Sequence, residues 1–221
     1  MSLWIKICAN TSLDDAQLAV DAGADAVGFV FASSPRRVTP EQIADLVPHL
    51  PAGTEKIGVF VDAGLNEIAN TVEVARLTGV QLHFDAPPAL AAQLRSRFGP
   101  QLRILRVLHF DAANAGGAEG IFSDPSIDAI LVDSRTATAV GGTGMAYDWA
   151  TAGKTLFQSA KARERRLVAA GGLTPANVAA AIATLRPWGV DVVSGVESAP
   201  GRKDPAKVRN FIANARVADR T

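Results

Sequence analysis

Eight times along the chain, a short run of apolar or β-branched residues gives way to a longer amphipathic stretch rich in Ala and Leu. The runs are WIKICA (4–9), AVGFVF (26–31), KIGVFVD (56–62), VQLHF (80–84), RILRVLHF (103–110), IDAILVD (127–133), RLVAAGG (166–172) and GVDVVSG (189–195). The stretches that follow them, about 13–22, 40–49, 65–77, 88–98, 113–120, 148–162, 175–186 and 205–216, read as helices, the fifth weakened by Gly116, Gly117 and Gly120. Strands this apolar need cover on both faces, the condition of a parallel sheet wrapped by helices. Eight such units, with no Pro/Ser-rich linker between them, favour a single (β/α)8 TIM barrel over residues 1–221; an open doubly wound sheet is the alternative.

The helix starts carry their own punctuation. Thr39-Pro40, Thr174-Pro175 and Asp204-Pro205 each set an oxygen-bearing cap before a proline, whose fixed φ and missing N–H suit the first helical position. Ser12 with Asp15 three residues on has the spacing of a capping box.

A barrel presents its reactive groups at the C-terminal ends of the strands and in the loops behind them. Those ends supply Cys8, Ser34-Pro35-Arg36-Arg37, Asp62, His83, His109, Asp133-Ser134, Gly171-Gly172 and Ser194-Gly195. Cys8 alone would read as an inert core residue, but with Asp133, at the ends of the first and sixth strands, it suggests an acid and base pair facing one substrate. Lys6 shares the inward face with Cys8 through the two-residue strand period, either to favour a thiolate or to neutralise a buried carboxylate. The planar fork of Arg36 suits a substrate carboxylate, although a solvated surface arginine is the default reading. His83 lines the pocket or serves as a structural hydrogen-bonding histidine. Glycines where a strand meets a helix let backbone N–H groups approach an anion. Gly171-Gly172, Gly142 and Gly144 within GGTG, and Ser194-Gly195 together point to phosphate, although any one of these loops is equally explained as a tight turn.

Composition removes other classes. Lys plus Arg and Asp plus Glu both number 22, and no basic run is interleaved with aromatics, so nucleic acid is not an expected partner. Every apolar stretch is broken well before the roughly 18 residues a membrane helix requires. MSLWIKICAN lacks the charged-then-apolar order of a secretion signal, and the lone Cys8 excludes both an internal disulfide and a thiolate metal cluster. A cytoplasmic protein acting on a small phosphorylated molecule is expected, as a monomer with a dimer left open.

Taken in order, KICAN, GFVFASSPRRVTPE, IGVFVD, VQLHF, LVDS with GGTGMAYDW, AAGGLTPANV and GVDVVSGVESAPGRKD resemble the phosphoribosylanthranilate isomerase family of tryptophan biosynthesis, from Lys6 to about Phe211. The resemblance implies a cofactor-free Amadori rearrangement of N-(5'-phosphoribosyl)anthranilate to its 1-deoxyribulose isomer. It further implies Cys8 as general base, Asp133 as general acid, Arg36 on the anthranilate side, and Asp191 near the pocket. Gly142, Gly144, Gly171, Gly172 and Gly195 would hold the phosphate. Each catalytic group must then carry the opposite of its usual charge, because ordinary pKa values are about 3.9 for Asp and about 8.5 for Cys. Burial would raise the first, and Lys6 or bound substrate would shift the second.

Two positions depart from the family pattern, which has glycine where Ala9 and Phe84 stand. Ala9 is a small change unless that glycine needs a positive φ. Phe84 would reshape the mouth of the pocket. A phospho-sugar-binding barrel without turnover, and a related ribosyl-imidazole isomerase with aspartate in place of Cys8, are the alternative readings.

Overall fold

The computed structural model describes residues 2–83, 86–110, 119–134, 148–159 and 164–220. Eight parallel strands close into a barrel: β1 (Trp4–Ile7), β2 (Ala26–Val30), β3 (Glu55–Phe60), β4 (Gly79–Leu82), β5 (Arg103–Phe110), β6 (Ala129–Ser134), β7 (Arg166–Ala169) and β8 (Gly189–Val192), with β8 pairing back to β1. Around it lie α1 (Leu13–Asp21), α2 (Pro40–Leu46), α3 (Leu65–Val74), α4 (Pro88–Phe98), α5 (Glu119–Ser123), α6 (Trp149–Ala152), α7 (Val178–Leu185) and α8 (Pro205–Ala218). The expected helix at 113–120 is described only from Glu119, and that at 148–162 runs as α6 and then a π-helical turn, Gly153–Phe157.

The two-residue strand period sorts the apolar residues into two cores. Outward-facing Ile5, Ile7, Val27, Phe29, Val190 and Val192 pack beneath the helices. Trp4, Ala26, Ile57, Leu105, Val107, Ala129, Leu131, Val168 and Ala170 fill the barrel itself. The inward row of β1 thus runs Trp4, Lys6, Cys8, and that of β6 runs Ala129, Leu131, Asp133. Both climb from an apolar floor to a polar mouth. Trp4 closes the floor by stacking on Trp188, ring centroids 5.2 Å apart.

The caps hold with two exceptions. Thr39 and Gln42 form a complete capping box on α2, and Asp204 accepts from the N–H groups of Ala206 and Lys207 at the start of α8. Ser12 accepts from Asp15 N–H, but the short Asp15 carboxylate does not return the bond to the Ser12 amide. It instead accepts from the N–H of Lys203, 188 residues away. The helix expected from Pro175 begins three residues later, because Asn177 Oδ1 accepts from Thr174 N–H (2.7 Å) while its amide donates to Gly172 O (2.9 Å). Those bonds fold the Thr174-Pro175 segment into a turn that braces the glycine loop.

Several strands stop earlier than their apolar runs suggest, β1, β7 and β8 at the mouth among them. Ala9, Gly171 and Gly172 all take positive φ, 61°, 78° and 68°, which ends the ladders of β1 and β7 at the mouth. β8 stops at Val192 and turns into a 3-10 helix, Ser194–Val196. An unforeseen hairpin follows, β9 (Glu197–Ala199) and β10 (Arg202–Lys203), turned at Gly201.

Candidate active site

The parallel register of β1 and β8 sets Lys6 directly opposite Asp191. Lys6 is completely buried; its Nζ donates to Asp191 Oδ1 and to Gln81 Oε1, both at 2.9 Å. Burial alone would pull the lysine pKa down, but the neighbouring Asp191 and Cys8 outweigh it and hold the ammonium above its ordinary range. Lys6 therefore neutralises a buried carboxylate, the second of the two roles its position allowed.

Cys8 sits one residue past the end of β1 with both of its peptide groups tied. Its N–H donates to Val192 O (2.9 Å), and its carbonyl accepts from the buried Nζ of Lys203 (2.5 Å). The turn behind it is pinned by Asn10, fully buried, whose amide donates to Ile7 O (2.8 Å) and Gly28 O (3.2 Å). These bonds hold Ala9 at its positive φ, a conformation costing an ordinary residue about 1–2 kcal/mol. That explains why glycine suits this position, and alanine takes the left-handed conformation here. Gly28 on β2 provides room for the thiol, since a Cβ there would lie 2.5 Å from Cys8 Sγ and 3.0 Å from Lys6 Cε.

Burial pushes the Cys8 thiol pKa up, and the Lys6 ammonium offsets only part of that shift. Lys6 thus does not produce a resting thiolate. As this is the chain's single cysteine, alkylation reads it cleanly. The iodoacetamide rate of the unliganded protein should keep rising with pH beyond the range where an ordinary thiol levels off, whereas a plateau near neutrality would mean a preformed thiolate.

Cys8, Arg36, His83, Asp133 and Asp191 all line one cavity of about 420 Å³ at the barrel mouth, together with Asp62 and Gln81. Asp133 and Asp191 also line an adjoining recess bounded by Gly171, Gly172, Ser194 and Gly195. The two glycine loops touch, and a Cβ on Gly195 would collide with the Leu173 carbonyl. His83 reaches the cavity from the end of β4 and lies 5.4 Å, ring to ring, from His109. Gly142, Gly144 and Phe84 lie outside the described residues.

Residues 5–214 match the family model described as N-(5'-phosphoribosyl)anthranilate (PRA) isomerase. The chain belongs to this family. A relative from Pelobacter propionicus, named N-(5'-phosphoribosyl)anthranilate isomerase, is 43% identical over 213 residues, covering 96% of this chain and 95% of the relative. The crystal structure of phosphoribosyl anthranilate isomerase from Thermotoga maritima superposes with a TM-score of 0.84 at 35% identity, covering 97% of this chain and 99% of that one. A further phosphoribosyl anthranilate isomerase, in complex with reduced 1-(o-carboxyphenylamino)-1-deoxyribulose 5-phosphate, superposes with a TM-score of 0.81 at 33% identity, with coverages of 97% and 99%.

Strand-end reasoning missed several residues of this barrel. Gln81 stands two residues before His83 on the inward face of β4, so the same period that exposed Lys6 could have found it. Glu197 and Lys203 flank Pro200-Gly201, a turn dipeptide whose hairpin was there to be read. No pattern in the sequence signals Gly28.

Proposed function

We propose that this site carries out the Amadori rearrangement of N-(5'-phosphoribosyl)anthranilate to 1-(2-carboxyphenylamino)-1-deoxyribulose 5-phosphate, with Asp133 as general acid and Cys8 as general base. The activity is the one for which the family is named, a step of tryptophan biosynthesis. The observation carrying the roles is that Cys8 and Asp133, from β1 and β6, face one cavity whose walls also hold Arg36 and the glycine recess.

The substrate lies across the mouth with its phosphate in the recess. Gly171 and Gly172, at positive φ, and Ser194, where the 3-10 turn starts, line that recess and would offer backbone N–H groups to the anion. The anthranilate carboxylate meets Arg36. Asp133 in its acid form donates a proton to the furanose ring oxygen, and the ring opens to a cationic iminium. Cys8 then removes the C2' proton to leave an enolamine, which tautomerises to the ketone. The resting thiol is protonated, so it first gives its proton to water at the open mouth of the cavity, the iminium charge beside Sγ favouring that ionisation, and the thiolate then takes the C2' proton. Lys6 and Asp191 cancel one another beneath the cavity, so the Asp191 charge does not oppose the thiolate uncompensated. Asp191 and His83 complete the wall against which the sugar lies.

All of these groups belong to one barrel, so a monomer carries a whole site. The lone thiol suits a reducing cytoplasm. No helix among the described residues is long and apolar enough to cross a membrane.

The test follows turnover of phosphoribosylanthranilate, generated in place, by the loss of anthranilate fluorescence. The parent should turn over, and Asp133→Asn should lose about two to four orders of magnitude in kcat with KM little changed. An Asp133→Asn protein with parental turnover would remove the acid from the scheme.

A further inference from the structure

Arg36 is not a free surface arginine. Its Nε donates to both carboxylate oxygens of Glu197 (2.9 and 3.1 Å) and its Nη2 to Oε2 (2.7 Å), a two-pronged grip on one edge of the guanidinium. Nη1 makes no hydrogen bond among the described residues, while the side chain stays 17% exposed along the cavity wall. Glu197 is itself 4% exposed and accepts from the fully buried Nζ of Lys203 (3.3 Å) and from Gly201 N–H (3.3 Å). That same Lys203 Nζ donates to the carbonyl of Cys8. Lys207 Nζ holds the Glu197 carbonyl (2.8 Å), and Thr11 Oγ1 ties the turn through Gly201 O (2.6 Å).

We propose that the β9–β10 hairpin is a positioning element: Glu197 fixes the guanidinium of Arg36 with its outer edge turned to the substrate carboxylate, and Lys203 fastens Glu197 to the backbone of Cys8. An exposed arginine samples many rotamers, and ordering it on binding would weaken recognition; here the ordering is done in advance. The buried Lys203 supplies the charge that lets Glu197 remain a carboxylate away from water. Arg36 and Glu197 support each other in turn: the arginine pKa is held up chiefly by its bonds to Glu197, and the glutamate, against the cost of burial, is held below its usual range by Arg36 and Lys203. The hairpin thus joins the end that recognises the substrate to the end that removes its proton.

This inference rests on the reading that Arg36 meets the substrate carboxylate, so the experiment separates the two. The probes are reduced 1-(o-carboxyphenylamino)-1-deoxyribulose 5-phosphate and its phenylamino counterpart lacking the carboxylate, titrated calorimetrically into parent, Arg36→Met, Glu197→Gln and Glu197→Asp proteins. The readout is the ratio of the two Kd values, which a general loosening of the barrel leaves unchanged because both ligands suffer alike. Arg36→Met should bring the ratio near one. Glu197→Gln should lower it about tenfold. Glu197→Asp, which keeps a charge beside Lys203 but withdraws it from the arginine fork, should fall between and guards against a Gln variant that does not fold. A collapsed ratio in Arg36→Met with parental ratios in both Glu197 variants would overturn the positioning role alone. A parental ratio in Arg36→Met would overturn the carboxylate reading and the hairpin's role with it.

Discussion

Exchange of Cys8 for serine lowers kcat by about two to four orders of magnitude, with binding of the reduced product analogue and the melting temperature close to those of the parent. The reason lies in how the residue is held. Both peptide groups of Cys8 are tied, to Val192 and Lys203, and the side chain occupies the space that Gly28 leaves open. A serine hydroxyl takes up that same place without crowding, so the variant differs from the parent almost wholly in acidity. A thiol can ionise beside a cationic iminium, whereas a hydroxyl is far too weak an acid to follow. Single-turnover fluorescence measures the chemical step apart from product release. A Cys8→Ser protein within tenfold of the parent rate would mean that the proton leaves to another group, and His83, on the same cavity wall, would be the first to replace.

Replacement of Lys6 by methionine has the largest expected effect on stability. Methionine matches the length of the stem but strands the Asp191 carboxylate, 5% exposed, without the ammonium that pairs it. Removing one partner of a buried pair costs about 3–5 kcal/mol, and in a chain of this size each kcal/mol lowers Tm by about 2–4 °C. Thermal unfolding should therefore show a fall of about 6–20 °C. Adding Asp191→Leu should restore much of the loss, because a neutral pair of similar volume leaves no charge uncompensated. If the double variant is no more stable than Lys6→Met alone, packing rather than charge is the cause. The pH dependence has a definite sign. The lysine pKa is higher folded than unfolded, so its contribution is complete below the ordinary lysine range and is lost as pH rises through the folded value.

The repeating strand and helix pattern displays the barrel because closure demands little beyond apolar strands at the right spacing. The mouth residues Cys8, Asp133 and His83 were legible for a related reason: strand period and strand end together dictate where a side chain goes, before any tertiary contact is known, whereas Asp191 came only through the family resemblance. What the pattern does not carry is the partner of each group. Lys6 admitted two roles until the β1–β8 register placed it opposite Asp191, and that register is set by closure of the whole sheet. Arg36 looked like a solvated surface residue because Glu197, which orders it, lies 161 positions further on in a hairpin only five residues long in its strands. Ala9 was legible as a departure, but only its φ of 61° shows that the left-handed turn survives without glycine.

The stack of Trp4 on Trp188 lies across the seam where the first strand meets the last, with Trp4 in register with Gly189. Its two rings are supplied by opposite ends of the polypeptide, so they come together only once nearly all of the intervening chain has been arranged. Joining the first strand to the last is a strongly non-local event, and loop-closure entropy makes it slow relative to local helix formation. The indole pair is thus a clock for folding: its near-ultraviolet signal belongs to the circular state alone, and an open sheet of seven strands, however well formed, would stay silent.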